Sequence, residues 1–304
     1  MESEAAQKTQ AMHSPVAAVA RLVTFLIWSL LVIPPYAVVL VGGRRAVPLC
    51  RRIARFYWRT VCWIVGLDVV VHGEPCRQRP TLYLSNHASY LDILVLGGIL
   101  ESAFIAKKEV GQWPGIGILA KLGRTVFVDR RPRKSLEQRN EMLGRLAEVS
   151  ESLILFPEGT SNDGNRVLPF KSALLSVAEQ LAQAEAALPV QPISVAYTRL
   201  AGLPMGRSWR PFFAWYGDME LAPHLWFFLG LGTTQVDVTF HPVVTLEQFG
   251  SRKALADHCH DVVSRGLVCA NIGQPLPVPS HGGDHRETAP SDSDKLSDAA
   301  ATGK

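Results

Sequence analysis

Cysteine is scarce in this chain, and the few cysteines are not arranged in pairs. The 304 residues include five cysteines, an odd number, and no two of them form a CxxC motif. A disulfide framework and a zinc ribbon are therefore both disfavoured, and a reducing compartment is the simpler expectation. The formal net charge of +4 is also small, so the composition predicts no nucleic-acid partner.

Charge is absent from residues 22 to 43, and this absence is informative. The stretch LVTFLIWSLLVIPPYAVVLVGG is about as long as the hydrocarbon core of a bilayer requires of a helix. No A-x-A-like cleavage site follows it, so we expect a retained membrane segment rather than a secretory signal. The adjacent Pro34 and Pro35 leave open whether the segment spans the bilayer or forms a re-entrant hairpin. Residues 1 to 21 are expected to be a flexible N-terminus.

Arginines cluster directly after this segment, within residues 44 to 66. Arg52, Arg55 and Arg59 fall on one helical face, which predicts a basic amphipathic helix at an anionic membrane surface. A core helix with a solvated arginine face is the alternative. The positive-inside rule, applied to this arginine-rich flank, places the rest of the chain on the cytoplasmic side of the membrane.

Short β-rich runs alternate with helix-length stretches after residue 66. The runs LDVVVHG, TLYLS, SAFIAK, RTVFVD, SLILFP, VQPISVAY, FFAWYG and TQVDVTFH predict strands, and residues 89 to 100, 134 to 149 and 170 to 187 predict helices. This alternation predicts one α/β domain over residues 67 to 272, with a largely parallel sheet flanked by helices. From residue 273 to 304, apolar periodicity ends and Pro, Ser, Asp and Gly are abundant, which predicts a disordered tail.

One histidine and one aspartate stand out in the stretch LYLSNHASYLDILVLGG. His87 lies at the exit of an apolar run, and Asp92 follows five positions later. Five helical residues would turn the two side chains roughly 140° apart, so they can meet only if His87 stays in a turn and the helix begins near Ser89. Ser89 and Asp92 also match a capping box, a hydroxyl followed three residues later by an acid. An ordinary helix cap is therefore the alternative to a catalytic couple.

A second polar stretch, LILFPEGTSNDGNRVLPFKSALL, begins as an apolar strand and opens into a loop at Glu158. Gly159 and Gly164 would let backbone amides approach a ligand closely. Arg166 and Lys171 add positive charge near the start of a predicted helix, a favourable place for an anion. The loop therefore predicts an anion site, and a hairpin-like turn with incidental charges is the alternative.

Taken together, these stretches resemble the glycerolipid acyltransferase family, membrane-associated enzymes that acylate lysophosphatidic acid and related acceptors. NHASYLD matches the NHxxxxD block of the family, and FPEGT matches the first five positions of its FPEGTR block. TVFVDRR and VQPISV are similar to two further blocks, in the same order along the chain. The similarity covers about residues 60 to 200, and it implies the family's α/β fold.

The resemblance assigns roles to particular residues. It implies that His87 is the general base that takes the proton from the acceptor hydroxyl, and that Asp92 orients the imidazole. Backbone amides near residues 159 to 160 would then stabilise the oxyanion. The residues expected to bind the substrate, with Arg130 the first candidate for a phosphate, are Asn86, Arg124, Arg130, Glu158, Gly159, Thr160, Arg166 and Lys171. The resemblance implies no metal and no cofactor beyond the acyl donor, acyl-CoA or acyl carrier protein.

Two departures from the family pattern leave the acceptor open. Ser161 stands where the family usually carries Arg, and Arg124 stands where it usually carries Gly. Lysophosphatidic acid is the leading acceptor. EGTSNDGNRVLPFK and WYGDMELAPHLW, however, resemble a bacterial branch that includes lyso-ornithine lipid acyltransferases, whose acceptor has no phosphate. We therefore expect an enzyme bound to the bacterial inner membrane, with its catalytic domain facing the cytoplasm.

Two alternatives belong to other functional classes. A metal hydrolase would use His87, Asp92 and Glu158 as ligands, and its activity would be lost on chelation. A non-catalytic lipid-binding membrane protein would hold a lipid in the same pocket without turnover.

Overall fold

The computed structural model describes residues 12–112, 123–128, 150–176 and 188–275, with isolated positions at 117, 120, 121, 144 and 179. The helices are α1 (Pro15–Leu40), α2 (Val47–Val65), α3 (Leu91–Ile99), α4 (Leu221–Leu229) and α5 (Arg252–Ile272). The strands are β1 (Leu67–His72), β2 (Leu82–Ser85), β3 (Ala103–Lys107), β4 (Val126–Val128), β5 (Leu153–Leu155), β6 (Val190–Leu200), β7 (Leu203–Pro204) and β8 (Thr234–Phe240).

The strands form one sheet in the order β1-β8-β6-β2-β5-β3-β4, with β7 beside β6. The pairs from β6 to β4 are parallel, whereas β8 is antiparallel to β6 and carries β1 parallel to itself. The predicted α/β class with a largely parallel sheet is therefore confirmed. The carboxyl ends of β2 and β5 open at the same edge, which is where ligands bind in such sheets.

Each face of the sheet carries an apolar core, because successive side chains of a strand point to opposite faces. Tyr83 packs with α2, α3 and α4, whereas its neighbours Leu82 and Leu84 pack with α5. Helices therefore cover both faces of the central strands, and β2 is buried throughout. This burial holds the end of β2, and the turn that follows it, in a fixed position.

The N-terminal helix begins earlier than the sequence predicts. Pro15 opens α1, and the Ser14 hydroxyl accepts a hydrogen bond from the amide of Ala17 at 3.3 Å, so the helix has a regular cap. The expectation of a flexible N-terminus is therefore wrong from residue 15 onward. The helix continues through Pro34 and Pro35 without a re-entrant turn. Among the described helices, α1 alone is long and apolar enough to cross a membrane.

Other predicted elements differ from the structure or lie beyond its description. The strand predicted over residues 212 to 217 is wrong, because a 3₁₀ turn at Arg210–Phe212 precedes irregular chain there. The helix predicted over 170 to 187 starts with the 3₁₀ turn Ser172–Leu175, and most of its remainder lies outside the described residues. The same applies to nearly all of the helix predicted over 134 to 149 and to the tail beyond residue 275.

Candidate active site

His87 and Asp92 meet at the carboxyl end of β2. Nδ1 of His87 lies 2.8 Å from Oδ2 of Asp92. The contact forms because His87 stays in the turn and α3 begins only at Leu91, which leaves Asp92 in the first helical turn with its carboxylate directed backwards. Since Nδ1 is bonded to Asp92, Nε2 is the ring nitrogen left for chemistry.

Asp92 is fully buried, with 0% exposure, and protein donors surround its carboxylate. Oδ2 accepts hydrogen bonds from the backbone amides of Ala88 at 2.8 Å and Ser89 at 2.9 Å. Oδ1 accepts a hydrogen bond from the hydroxyl of Tyr197 at 2.7 Å. These donors compensate the burial of a charged group and fix its orientation. No motif in the sequence marks Tyr197 for this contact.

The capping-box alternative is realised only in part. The Asp92 carboxylate does bond backbone amides at the start of the helix, but the amide of Asp92 donates to the carbonyl of Ser89, at 3.1 Å. The Ser89 hydroxyl is buried with no hydrogen-bond partner among the described residues, and Tyr90 occupies the N-cap position. A cap alone therefore does not account for the geometry of His87.

The imidazole of His87 packs against an aromatic wall while staying partly open to solvent. Its ring stacks on Phe156 with a centroid separation of 4.1 Å and an interplanar angle of 19°. The side chain keeps 21% exposure, compared with 0% for Asp92. One face of the ring is thus covered, and a substrate can still approach the imidazole.

Glu158 binds the backbone of the turn that carries His87 and does not face an open site. Its Oε1 accepts from the backbone amide of His87 at 2.7 Å, and Oε2 accepts from Asn162 Nδ2 at 2.7 Å and from the Leu168 amide at 2.9 Å. Burial raises the pKa of Glu158 to about 7, against the opposing effect of these donors. The expected substrate contact is therefore corrected to a positioning role, in which Glu158 joins the two polar stretches.

Asn86 is another expected substrate contact that the structure reassigns. Its side chain is 2% exposed. Nδ2 donates to the carbonyl of Val195 at 2.9 Å, and Oδ1 accepts from the amide of Val195 at 2.8 Å. Both ends of the amide are thus bonded to β6, so Asn86 holds the turn before His87 in place.

Arg124 is engaged with a buried acid, and its side chain keeps 24% exposure. Nε and Nη2 of Arg124 bond the two carboxylate oxygens of Glu151 at 3.0 and 3.2 Å. Glu151 is 1% exposed and also lies 3.8 Å from Nε of Arg51. Since a buried carboxylate depends on such cations, Arg124 has a structural role that its sequence position did not reveal.

The loop after β5 turns sharply at Gly159. This residue has a φ of +69°, and its amide donates to the carbonyl of Phe156 at 3.0 Å. The amide of Gly159 therefore closes a turn, and the oxyanion role expected of the amides near residues 159 to 160 stays a prediction. Nζ of Lys171 lies 2.9 Å from the position that a Cβ would occupy at residue 159, so a larger side chain there would displace this cation.

The remaining expected contacts lie on the outside of the same loop. Thr160 and Arg166 are exposed. The amide of Asn162 donates to the carbonyl of His87 at 3.1 Å, so this loop is joined directly to the histidine corner. Arg130 lies outside the described residues.

Arg210 supports the loop from within, and nothing in the sequence marks it. Its guanidinium is bonded to Oδ1 of Asn165 at 3.1 Å, to the carbonyl of Met205 at 3.0 Å and to that of Asn271 at 2.9 Å. These bonds connect the loop to the end of α5. Only the tertiary structure brings the three partners together.

An apolar cavity of about 340 Å³ lies near the turn that carries His87, between α1, α2, α3, α4 and β3. Phe104 in its wall stacks with Phe156 at a centroid separation of 6.3 Å, and Phe156 in turn covers the ring of His87. Tyr90, three residues after His87, is also part of the wall. Ligand pockets commonly measure about 300–1,000 Å³, and these apolar walls suit a hydrocarbon chain.

The described residues offer little to a metal ion. No group of three or more His, Cys, Asp or Glu side chains among them is arranged to hold one. The oxygens of Asp92 and Glu158 already accept hydrogen bonds from protein donors. The metal-hydrolase alternative therefore gains no support from this geometry.

Comparison with known proteins agrees with the fold. The family model described as Acyltransferase matches residues 68–196. A lyso-ornithine lipid O-acyltransferase from Brucella abortus (strain 2308) is 41% identical over 230 residues, which cover 75% of this chain and 86% of the relative. A 1-acyl-sn-glycerol-3-phosphate acyltransferase from Neisseria gonorrhoeae is 29% identical over 201 residues, covering 66% and 73% respectively.

A solved structure shares the fold. The crystal structure of the 1-acyl-sn-glycerophosphate (LPA) acyltransferase, PlsC, from Thermotoga maritima aligns with a TM-score of 0.55 and 24% sequence identity. The alignment covers 82% of this chain and 96% of that chain. The resemblance drawn from the sequence motifs is thereby confirmed: the chain belongs to the acyltransferase family and is an enzyme of that class.

Proposed function

We propose that this enzyme transfers an acyl chain from a thioester to the free hydroxyl of lyso-ornithine lipid, with His87 as the general base. The observation that carries the chemistry is the contact between His87 and the buried Asp92, next to an apolar cavity. The choice of acceptor is supported by the relative from Brucella abortus, which is named for this activity and is 41% identical. Ser161, in place of the family's usual arginine, also suits a head group without phosphate.

The proposed reaction is a direct transfer without an acyl-enzyme. Nε2 of His87 takes the proton of the acceptor hydroxyl as its oxygen attacks the thioester carbonyl carbon. Asp92 stabilises the imidazolium that forms and holds the ring through Nδ1. When the tetrahedral intermediate collapses, the carbon–sulfur bond breaks and the imidazolium returns its proton to the departing thiolate. The products are the acylated lipid and the free thiol of CoA or of acyl carrier protein.

The apolar cavity is the proposed site of the hydrocarbon chain that the donor brings. Its walls come from four helices and one strand, and aromatic contacts connect it to His87 through Phe156 and Phe104. Burial of each methylene contributes about 0.8 kcal/mol, so the cavity offers binding energy that is independent of the acceptor's head group.

Lysophosphatidic acid is the second candidate acceptor. The relative from Neisseria gonorrhoeae is named for this activity, and the exposed Arg166 and Lys171 lie on the loop that is joined to His87. Two cations at this position suit a phosphate, and they equally suit the carboxylate of an ornithine head group. The acceptor therefore has to be identified by direct comparison.

Association with the membrane supports the same proposal. Between Glu4 and Asp68 the chain contains no acidic residue, and α1 exposes apolar side chains along its length. The helix α2 exposes Leu49, Phe56 and Trp63 beside its arginines, a composition that suits the interface of an anionic bilayer. By the positive-inside rule, the catalytic domain would face the cytoplasm, at the inner membrane of a bacterium.

The test is a thioester-release assay on the detergent-solubilised protein. Lyso-ornithine lipid and lysophosphatidic acid are offered in parallel, each with acyl-CoA and with acyl carrier protein, to the wild type and to His87→Ala. We expect turnover with lyso-ornithine lipid that disappears in the variant. Turnover with lysophosphatidic acid alone would replace the proposed acceptor by the second candidate. Turnover that survives in His87→Ala would contradict the proposed mechanism.

A further inference from the structure

The strand β6 extends beyond its neighbour β2 at the edge that carries the site. The last residue of β2, Ser85, pairs with Ile193, and β6 then continues to Leu200. Val195 and Tyr197 therefore lie beside the turn that carries His87. Val195 bonds the side chain of Asn86 through its backbone, as described above.

Tyr197 reaches the same turn through its side chain. It is 4% exposed, and its ring stacks on Phe213 with a centroid separation of 6.2 Å and an interplanar angle of 20°. Burial, and then the charge of Asp92, raise the pKa of Tyr197 well above its usual range. The hydroxyl therefore stays protonated and remains a donor to the carboxylate.

The two oxygens of Asp92 differ in their partners. Oδ2 faces Nδ1 of His87 and the amides of Ala88 and Ser89, whereas Tyr197 is the donor found at Oδ1 among the described residues. Without the hydroxyl of Tyr197, Oδ1 of Asp92 would be a buried acceptor with no hydrogen-bond donor among the described residues. Leaving such a group unpaired is costly, and a carboxylate held at one oxygen only is free to tilt.

We propose that Tyr197 is a positioning residue of the acyl transfer: its hydroxyl holds Oδ1 of Asp92 so that Oδ2 stays aimed at Nδ1 of His87. The hydroxyl also draws part of the carboxylate's negative charge towards itself and away from the imidazole. Tyr197 thereby sets how strongly Asp92 stabilises the imidazolium. This inference rests on the proposed role of His87 as general base.

Removal of the hydroxyl has two expected consequences. The carboxylate loses its fixed orientation, so kcat falls. In the molecules that keep the contact between Oδ2 and Nδ1, the charge of Asp92 is no longer shared with the hydroxyl, so the imidazolium persists to higher pH and the acidic limb of the pH–rate profile moves upward. KM for donor and acceptor stays nearly constant, because Tyr197 is buried and its hydroxyl faces Asp92.

The experiment compares Tyr197→Phe with Tyr83→Phe. Tyr83 is a matched control, because it is 3% exposed and its hydroxyl donates to the carbonyl of Cys76 at 3.1 Å, away from Asp92. We expect kcat to fall about 10-fold in Tyr197→Phe and less than about twofold in Tyr83→Phe. The acidic limb should shift upward by roughly half a pH unit in Tyr197→Phe alone. Equal losses in both variants, a change confined to KM, or an unshifted limb would overturn the proposal.

A second substitution keeps the test valid if Tyr197→Phe folds poorly. Replacement of Tyr197 by 3-fluorotyrosine retains the ring and the hydroxyl but makes the hydroxyl a stronger donor. More of the carboxylate's charge is then drawn to Oδ1, so the acidic limb should move to lower pH, opposite to the shift in Tyr197→Phe. A limb that stays in place, or moves upward, would contradict the inference.

The His87→Ala assay separates the two proposals. If His87→Ala retains turnover, the general-base mechanism fails whatever Tyr197 does. If His87→Ala is inactive and Tyr197→Phe behaves like the Tyr83→Phe control, only the role of Tyr197 is overturned.

Discussion

Two of the histidine–aspartate pairs among the described residues have almost the same contact distance and very different surroundings. Nδ1 of His87 lies 2.8 Å from Asp92, and Nε2 of His72 lies 2.7 Å from Asp237. In the first pair the side chains are 21% and 0% exposed, and in the second they are 52% and 12% exposed. The contact itself therefore does not distinguish a catalytic couple from a surface pair.

Topology separates the two pairs. His72 ends β1, which runs parallel to β8 and hence opposite to β6 and β2. β1 is the edge strand of the sheet, and β8 and β6 separate it from β2, so His72 is remote from His87 and from the loop that follows β5. The Asp237 carboxylate accepts hydrogen bonds from Thr198 and Gln235 side chains, whereas backbone amides hold Asp92. The pair of His87 and Asp92 differs from the other pair because it lies near a cavity and is rigidly supported.

The largest expected effect separates the two histidines. His87→Ala should lower turnover about 1,000-fold, since a positioned general base contributes about 10²–10⁴-fold. His72→Ala should change turnover less than about twofold, because its pair faces neither the cavity nor the loop. The measurement is kcat/KM in the thioester-release assay. Similar losses of kcat/KM in both variants would contradict the assignment of the catalytic role to His87 rather than His72.

Substitution of Asp92 should lower activity much more than substitution of Asp237. Asp92→Asn keeps the shape of the side chain but removes the charge that stabilises the imidazolium, so kcat should fall about 100-fold. The acidic limb of the pH–rate profile should also move to lower pH. Asp237→Asn serves as the matched control, and its profile should coincide with that of the wild type. A wild-type profile in Asp92→Asn would remove its proposed role.

Glu158 gives the stability of the protein a pH dependence at the turn that carries His87. Burial raises the pKa of Glu158 from 4.5 to about 7, so the folded chain holds this proton more tightly than the unfolded chain. The contribution of Glu158 to stability therefore falls as pH rises between these two values, and it is constant above them. The side chain introduced by Glu158→Gln cannot ionise, so the stability of this variant does not fall in this way as pH rises.

The check is a series of thermal melts of the wild type and Glu158→Gln in one detergent. From pH 5 to 8, Tm of the wild type relative to the variant should decrease by on the order of 5 °C. A difference in Tm that is the same at every pH would contradict the raised pKa.

The smallest expected effect concerns the stability that the surface pair contributes. His72 is half exposed, and exposed ion pairs contribute about 0–1 kcal/mol. His72→Ala should therefore lower Tm by no more than about 3 °C. A much larger drop would mean that the pair at the far edge of the sheet has structural importance that its exposure does not suggest.

The sequence predicted the sheet class from its pattern of strands and helices, and it predicted the contact between His87 and Asp92 through the resemblance to the acyltransferase family. The alternation of strands and helices is a local pattern, and helical geometry requires His87 to lie before the helix if the two side chains meet. The boundary of α1 was missed because Ser14 and Pro15, which start the helix, precede the uncharged stretch on which the expectation was based.

The roles of the supporting residues could not be predicted from motifs. Asn86 is bonded to Val195, 109 positions away, and Asp92 to Tyr197, 105 positions away. A motif shows that a residue is present, but not where its side chain points. Asn86, Arg124 and Glu158 were therefore expected at the substrate, whereas their polar atoms are bonded to Val195, to Glu151 and to the turn at His87.

The N-terminal helix is built into the catalytic domain. Nη1 of Arg21 donates to the carbonyls of Leu229 and Leu231 at 3.1 and 2.6 Å, and Leu22 and Phe25 form part of the cavity wall. The guanidinium also packs over Gly66, where a Cβ would lie 2.5 Å from Nη2. Deleting α1 to obtain a water-soluble enzyme would therefore also remove one side of the proposed chain-binding cavity. Exchange of this helix between homologues is therefore expected to change acyl-chain preference together with membrane attachment.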